Sequence, residues 1–172
     1  QYEAVQLLFH PFMFANPLLQ PGQENVVNAW GVTNTFPKGV PGSFPVHTPD
    51  KIVVKDIEDW KDYVHAPSLK FTQDQWDMVK AQYDAVDGEQ AFKAAFVAPG
   101  LFEQTHHLCE ISNALVYYIT NPDEMHDLIK YLTEWELELA DRIKKFTDII
   151  TVMALSWLSI ILTVTQQHWF LL

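Results

Sequence analysis

The sequence has 172 residues, of which 48% are hydrophobic and 19% charged, and its formal net charge is -11. This length is enough for one domain with a hydrophobic core, and the composition is that of a globular chain rather than a disordered one. The acidic balance argues against a nucleic-acid partner, because a phosphate-binding surface needs an excess of Lys and Arg. The single cysteine, Cys109, excludes an internal disulfide and favours a reducing, cytoplasmic setting.

The first half of the chain alternates short apolar runs with proline-rich stretches. Apolar runs predict strands over residues 5–9 and 26–32. Residues 33–49 contain four prolines and two glycines, which indicates a long loop that either contacts a ligand or is an extended surface connection. Residues 51–55 are predicted as an edge strand, and the apolar spacing over 56–64 predicts a short amphipathic helix.

Most of the second half of the sequence is predicted to be helical. Thr72 and Gln75 have the spacing of a capping box that opens a helix. Apolar residues at helical spacing predict another helix over 101–120. Asn121 followed by Pro122 is typical of a helix start, and the apolar stripe of this longest helix continues to Phe146.

The turn between residues 97 and 103 is the most informative part of the chain. Residues 91–97 read as a buried strand, and Pro99-Gly100 lead directly into the next helix, which is half of a βαβ unit. Ligands of parallel α/β folds lie outside the carboxyl ends of the strands. We therefore expect Pro99, Gly100, Phe102 and Glu103 to edge a pocket, with an ordinary strand-to-helix turn as the alternative.

Few polar residues have the spacing of a reactive site. Glu103 and His107 are four residues apart, so they share a helix face and could form an acid–base pair or be solvated side chains. His10 and His47 lie in proline-rich loops, where an imidazole can bind a substrate carboxylate or a metal, or have neither role. No Cys-x-x-Cys or His-Glu-x-x-His pattern occurs, and the prediction for metal sites is none.

Five segments together resemble the uroporphyrinogen decarboxylase family, most closely its methyltransferase-like branch of anaerobic corrinoid-dependent demethylation. They are residues 28–32, 45–47, 55–64, 99–103 and 121–124. The similarity extends from about Val5 to about Ile150, and the Gly-x-Phe-Glu turn with the later Asn-Pro-Asp helix start is its most specific part. The family fold is a (β/α)₈ barrel, which needs about 250 residues. The resemblance therefore implies an α/β fold that is the first part of a (β/α)₈ TIM barrel, incomplete in this chain and covering residues 1–148.

The resemblance also implies a function. Family decarboxylases carry an Arg-Gln-Ala-Gly-Arg run for substrate carboxylates, whereas residues 10–16 here are apolar and aromatic without arginine. We therefore expect a methyltransferase that moves a methyl group from a small methylated or methoxylated substrate to a corrinoid carrier protein, with a porphyrin-pathway decarboxylase as the alternative. The implied substrate-binding candidates are His10, Phe12, Trp30, His47, Pro99, Gly100, Phe102, Glu103 and His107. Related methyltransferases hold zinc in the second half of the barrel, so corrinoid and zinc are expected of a full-length parent, and no cofactor is predicted to bind this chain itself.

The last 24 residues, 149–172, carry no Asp, Glu, Lys or Arg. We interpret them as an apolar tail outside the family fold, caused by a frame change or truncation close to Asp148. A membrane anchor is the rival account, disfavoured because the apolar stretch is shorter than the ~20 residues that a span needs. A third hypothesis for the whole chain is an inactive truncated or membrane-tethered fragment, and we expect no turnover from the isolated chain. Unpaired strand edges would also promote homo-oligomer formation.

Overall fold

The computed structural model describes residues 4–16, 18–152 and 161–163. In chain order the elements are β1 (Ala4–Leu8), α1 (Pro11–Ala15), β2 (Gln23–Val27), β3 (Thr33–Phe36), β4 (Phe44–Pro45), a 3₁₀ turn (Ile57–Asp59) leading into α2 (Trp60–Tyr63), α3 (Gln73–Asp84), β5 (Ala91–Val97), α4 (Leu101–Cys109), α5 (Ile111–Thr120), α6 (Pro122–Ile143), β6 (Ile149–Val152) and β7 (Ile161–Thr163). They fall into two compact units. The first comprises residues 1–15, 69–100 and 134–172, as far as these are described, and the second comprises 16–68 and 101–133.

The first unit is built on a sheet with the strand order β1-β5-β6-β7. β5 is parallel to both β1 and β6, with Ala4 opposite Ala91 and Ala94 opposite Ile149. β7 is antiparallel to β6. The strands predicted over 5–9 and 91–97 are therefore present and parallel.

The predicted barrel is wrong. In a (β/α)₈ barrel all strands are parallel and the sheet closes on itself. Here the described strands form an open sheet that ends in the antiparallel β7, and a separate antiparallel sheet contains β2, β3 and β4. The fold that the described residues do show is a small α/β arrangement of two sheets with helices.

The second unit contains a hairpin where a single strand was predicted over 26–32. β2 ends at Val27 and β3 begins at Thr33, and these two residues pair across the hairpin. The Asn28 side chain accepts hydrogen bonds from the backbone N–H groups of Trp30 (2.9 Å) and Val32 (3.0 Å). Gly31 has a φ of +81°, which glycine adopts without strain. The apolar run is thus broken by local turn chemistry.

Two further predictions in this region are wrong. Residues 51–55, predicted as an edge strand, form turns and bends without a strand. The predicted long loop 33–49 contains β3 and β4.

The short helix predicted over 56–64 is present as the 3₁₀ turn followed by α2, and Asp56 caps it by accepting a hydrogen bond from the Glu58 N–H.

The predicted helix starts are confirmed. Thr72 and Gln75 form both bonds of a capping box at the start of α3, and α6 begins at Pro122. The helix predicted over 101–120 is instead divided into α4 and α5 at Glu110. That residue has a φ of +72°, and its carboxylate accepts hydrogen bonds from the N–H groups of Ser112 (2.9 Å) and Asn113 (3.2 Å). A side-chain cap thus opens a new helix.

Each unit has its own buried apolar residues. In the first unit Leu8, Val79 and Tyr83 pack together, and Phe146 stacks on the Tyr83 ring at 5.7 Å between centroids. The buried apolar residues of the second unit include Val54, Ile57, Leu108, Cys109, Ala114, Met125, Leu128 and Leu132. Met125, Leu128 and Leu132 lie on the α6 face that the apolar spacing predicts. The predicted apolar face over 101–120 is wrong for α5, where Ile111, Leu115 and Ile119 are exposed.

The apolar tail is described only in part. Residues 149–152 continue the sheet as β6 and 161–163 form β7, whereas 153–160 and 164–172 lie outside the described residues. The domain division at residue 148 and the frame change therefore stay predictions. Among the helices in the described ranges, none has the length and apolar character that crossing a membrane requires.

Candidate functional site

The first unit brings two predicted site segments to the same edge of its sheet. β1 and β5 are parallel, so their carboxyl ends lie side by side. His10 follows β1, and Pro99 with the buried Gly100 follows β5 after a cis Ala98–Pro99 bond. This edge is where parallel α/β folds place ligands.

His10 has a hydrogen-bonding arrangement that defines its tautomer. Its Nε2 lies 2.9 Å from the carbonyl oxygen of Phe96. A carbonyl oxygen only accepts, so Nε2 must carry the proton and donate it. In the neutral ring Nδ1 is then an acceptor, and in the described structure this atom is buried without a hydrogen-bond partner. His10 therefore offers an unused acceptor at the carboxyl end of β1.

The environment of His10 keeps its ring neutral. Only 2% of the residue is exposed, and this burial lowers the pKa of the imidazole below its ordinary value. The Phe96 hydrogen bond raises the pKa, but by less than burial lowers it. A neutral, buried imidazole is suited to accept a hydrogen bond and unsuited to balance a carboxylate charge.

The His10 ring belongs to an aromatic cluster on the α1 side. The Phe12 ring lies parallel to that of His10, with centroids 6.4 Å apart and an interplanar angle of 10°. The edge of Phe12 meets Trp135 of α6 at 4.9 Å. Trp135 was predicted only as part of the apolar stripe of α6, and its neighbour Phe12 lies more than 120 positions away along the sequence. Helical spacing alone could not have assigned it to this cluster.

The second unit holds the other notable polar group, Glu103. It lies in the first turn of α4, where the helix dipole favours a negative charge. Only 4% of the residue is exposed, and both carboxylate oxygens are buried without a hydrogen-bond partner in the described structure. The hydrogen bond considered between Glu103 and His107 is not made. Burying a carboxylate without a hydrogen-bond donor costs several kcal/mol. A hydrogen-bond donor from a ligand would therefore bind favourably to Glu103.

Three histidines accompany Glu103 in the same unit. The rings of His106 and His107 meet edge to face, 4.6 Å apart. His47 Nε2 lies 3.0 Å from the carbonyl oxygen of His107, so this loop histidine contacts α4. Burial, then the nearby His106 and His47, lower the pKa of His107 to about 4. Burial also lowers the pKa of His106, although the Glu103 charge raises it. Both rings are thus neutral at neutral pH.

Trp30 and Phe102, two further candidates, lie in the second unit. Trp30 is 5% exposed and lies in the turn between β2 and β3. Phe102 stacks on Tyr118 at 6.1 Å and contacts His106 at 5.6 Å. The nine candidates therefore fall into two sets. His10, Phe12, Pro99 and Gly100 belong to the first unit, and Trp30, His47, Phe102, Glu103 and His107 belong to the second.

The described residues do not fit a zinc site. Among them no group of three or more His, Cys, Asp or Glu side chains is arranged to hold a metal ion. Cys109 is fully buried, and burial raises the pKa of its thiol to about 12. Since zinc binds the thiolate, this residue is not suited to be a zinc ligand.

An open cleft of about 430 Å³ lies in the second unit beside α2. It is lined by Glu58, Trp60, Lys61, Asp123, Glu124, His126 and Asp127. Lys61 Nζ and Asp127 Oδ2 are 3.2 Å apart, and both side chains are more than half exposed. Exposed ion pairs of this kind contribute little to stability. None of the buried polar atoms without a hydrogen-bond partner among the described residues lies in this cleft.

Comparisons of the chain with known proteins found no match. The chain matches no protein-family model, no curated protein and no solved structure.

Proposed function

We propose that this chain supplies substrate-binding residues of an enzyme that moves a methyl group from a small methylated or methoxylated compound to a corrinoid carrier. The observation that carries the proposal is the buried Nδ1 acceptor of His10, whose ring stacks near that of Phe12, which in turn contacts Trp135. A small ligand with one hydrogen-bond donor and an apolar body fits these groups. The resemblance of residues 99–103 and 121–124 to the methyltransferase-like branch supports the same reaction class.

The same observation disfavours the alternative decarboxylase. A porphyrinogen carries several carboxylates, and each needs a cation or several donors when it leaves water. Residues 10–16 contain no Lys or Arg, and the burial of His10 holds its ring in the neutral form. Porphyrinogen decarboxylation is therefore the weaker proposal.

In this reaction the chain orients the substrate and excludes water from its methyl group. The carrier protein would hold the corrinoid, and its reduced cobalt would supply the electron pair for the new bond to the methyl carbon. The electron pair of the broken bond would remain on the oxygen or nitrogen that carried the methyl group. His10 orients the substrate by accepting its hydrogen bond at Nδ1. Phe12 and Trp135 exclude water from the methyl group, which strengthens that hydrogen bond.

The test uses the full gene product with reduced cobalamin as the methyl acceptor. Deuterium-labelled methoxylated phenols and methylamines are offered, and label transfer to cobalamin is followed by mass spectrometry. Uroporphyrinogen is offered separately, with loss of carboxylates as the readout. We expect label transfer, lowered roughly tenfold or more by His10→Ala, because a buried hydrogen bond to the ligand is lost.

His126→Ala is the matched control, since His126 is an exposed histidine in the same chain and should leave the rate unchanged. Turnover of uroporphyrinogen alone would replace the proposal by the decarboxylase. Absence of both activities would favour the inactive fragment.

A further inference from the structure

We propose that Glu103 binds the cationic nitrogen of a small alkylammonium ligand, whose N–H groups donate to the two carboxylate oxygens. This binding is separate from the methyl transfer proposed at His10, and it can be measured without any corrinoid.

The first argument is the isolation of the carboxylate. Glu103 is the one acidic side chain in the buried class among the described residues. Neither of its oxygens receives a hydrogen bond within that part of the chain. Buried carboxylates in folded proteins are normally paired with a cation or bonded to several donors. An uncompensated one indicates that the compensating group comes from outside.

The second argument is that the neighbouring side chain does not supply the charge. The charge of Glu103 raises the pKa of His106, so the two side chains interact electrostatically. Burial nevertheless holds the pKa of His106 below its ordinary value, and the imidazole is neutral at neutral pH. The helix dipole at the start of α4 stabilises the charge only in part. None of the ion pairs formed among the described residues involves Glu103.

The third argument concerns the chemical class of the ligand. A divalent metal is disfavoured, because the described residues provide no set of three ligating side chains. An ammonium group needs only one carboxylate when aromatic faces surround its alkyl groups. Phe102 precedes Glu103, and its ring contacts those of His106 and Tyr118. The two carboxylate oxygens, both without a hydrogen-bond donor in the described structure, fit an ammonium ligand that retains N–H groups.

The experiment measures binding of three probes to the full chain at constant ionic strength, by NMR titration of their methyl signals. Dimethylammonium has charge and N–H donors, tetramethylammonium has charge alone, and 2-propanol has a donor without charge. We expect dimethylammonium to bind at least roughly tenfold more tightly than either of the others, because it alone makes charge-assisted hydrogen bonds. Glu103→Gln should weaken dimethylammonium binding by roughly tenfold or more.

Glu89→Gln is the matched control, because it removes one negative charge from an exposed residue. It should leave the affinity for dimethylammonium unchanged. Equal binding of dimethylammonium to the wild-type and Glu103→Gln chains, or equal binding of 2-propanol and dimethylammonium, would overturn the proposal. Equal binding of the two ammonium ions would overturn the hydrogen bonds to the carboxylate.

Thermal melting of the ligand-free variants separates ligand binding from a structural role. If the carboxylate is kept for a ligand, removing its unpaired buried charge should leave the Tm of Glu103→Gln equal to or above that of the wild-type chain. A lower Tm, or a variant that does not fold, would show that the carboxylate stabilises the fold and would overturn the proposal. Binding without methyl transfer to cobalamin would remove only the proposed function.

Discussion

Asp148 hydrogen-bonds both backbone polar groups of Lys93. Its carboxylate Oδ2 accepts from the Lys93 N–H at 2.8 Å, and its own N–H donates to the Lys93 carbonyl oxygen at 2.8 Å. Because Asp148 directly precedes β6, this pair of bonds sets the register in which Ala94 lies opposite Ile149. The first residue of the predicted foreign tail therefore follows a residue that is hydrogen-bonded to β5.

Replacing Asp148 by Ala should lower the free energy of unfolding by about 1 kcal/mol. The Lys93 N–H loses its side-chain acceptor, whereas the backbone bond from residue 148 can persist. Asp148→Asn retains an acceptor oxygen at the same place and should lose less than half as much. Urea unfolding curves of the three chains measure this, and equal stabilities of the wild-type chain and Asp148→Ala would contradict the assigned role.

Removing the side chain of Glu110, which caps α5, should lower the stability of the chain. Glu110→Ala removes the acceptor for Ser112 and Asn113 and keeps the strained φ of +72°, so we expect a loss of about 1–2 kcal/mol. Glu110→Gly loses the same cap but adopts this φ freely, so its loss should be smaller. Denaturant unfolding of both variants ranks them, and a glycine variant less stable than the alanine variant would exclude strain at this position.

The stability of the chain should fall as the pH is lowered from about 6.5 to about 4. In the unfolded chain His107 takes up a proton near its ordinary pKa of 6.5, whereas in the folded chain its pKa is about 4. Between these values only the unfolded state is protonated, so folding is opposed there, by at most roughly 3 kcal/mol. His10 and His106 act in the same direction, because burial lowers the pKa of each.

His107→Gln should flatten this dependence, since the glutamine side chain does not titrate. The measurement is the free energy of unfolding of both chains from about pH 7.5 to about pH 4.5. His126→Gln serves as the control because His126 is exposed. Parallel pH curves for the wild-type and His107→Gln chains would exclude His107 as the source.

Two leucines in α6 provide a matched test of packing. Leu139 is fully buried, and Leu137 is 55% exposed. Leu139→Ala should cost roughly 2–5 kcal/mol, because it leaves a cavity. Leu137→Ala should stay within about 0.5 kcal/mol of the wild-type chain. Similar losses measured by urea unfolding for both would mean that α6 does not pack through the face assigned to it.

Local signals in the sequence were sufficient for the helix starts. The Thr72–Gln75 capping box and Pro122 at the start of α6 each depend on residues within one helical turn. The hairpin between β2 and β3 was missed, because the Asn28 turn chemistry lies inside an apolar run that resembles one strand. The break at Glu110 was missed for the same reason, since the apolar spacing continues across it.

Non-local relations could not be predicted. Whether parallel strands close into a barrel depends on partners far apart in sequence, and this is where the expected barrel failed. His10 was a candidate, but its tautomer depends on Phe96, 86 residues away. The charge of Glu103 was visible in the sequence, whereas its burial and the absence of a donor depend on packing.

The pairing of β1 with β5 has a consequence for the order of folding. Ala4 can meet Ala91 only after the long intervening segment has been brought together, which costs more loop-closure entropy than forming α3 or the β2–β3 hairpin. We expect β1 to dock late during refolding. Pulsed hydrogen exchange should then protect the amides of α3 before those of β1. Since His10 reaches the Phe96 carbonyl only when β1 is in place, the chain would acquire helices and hairpin before it acquires its buried acceptor.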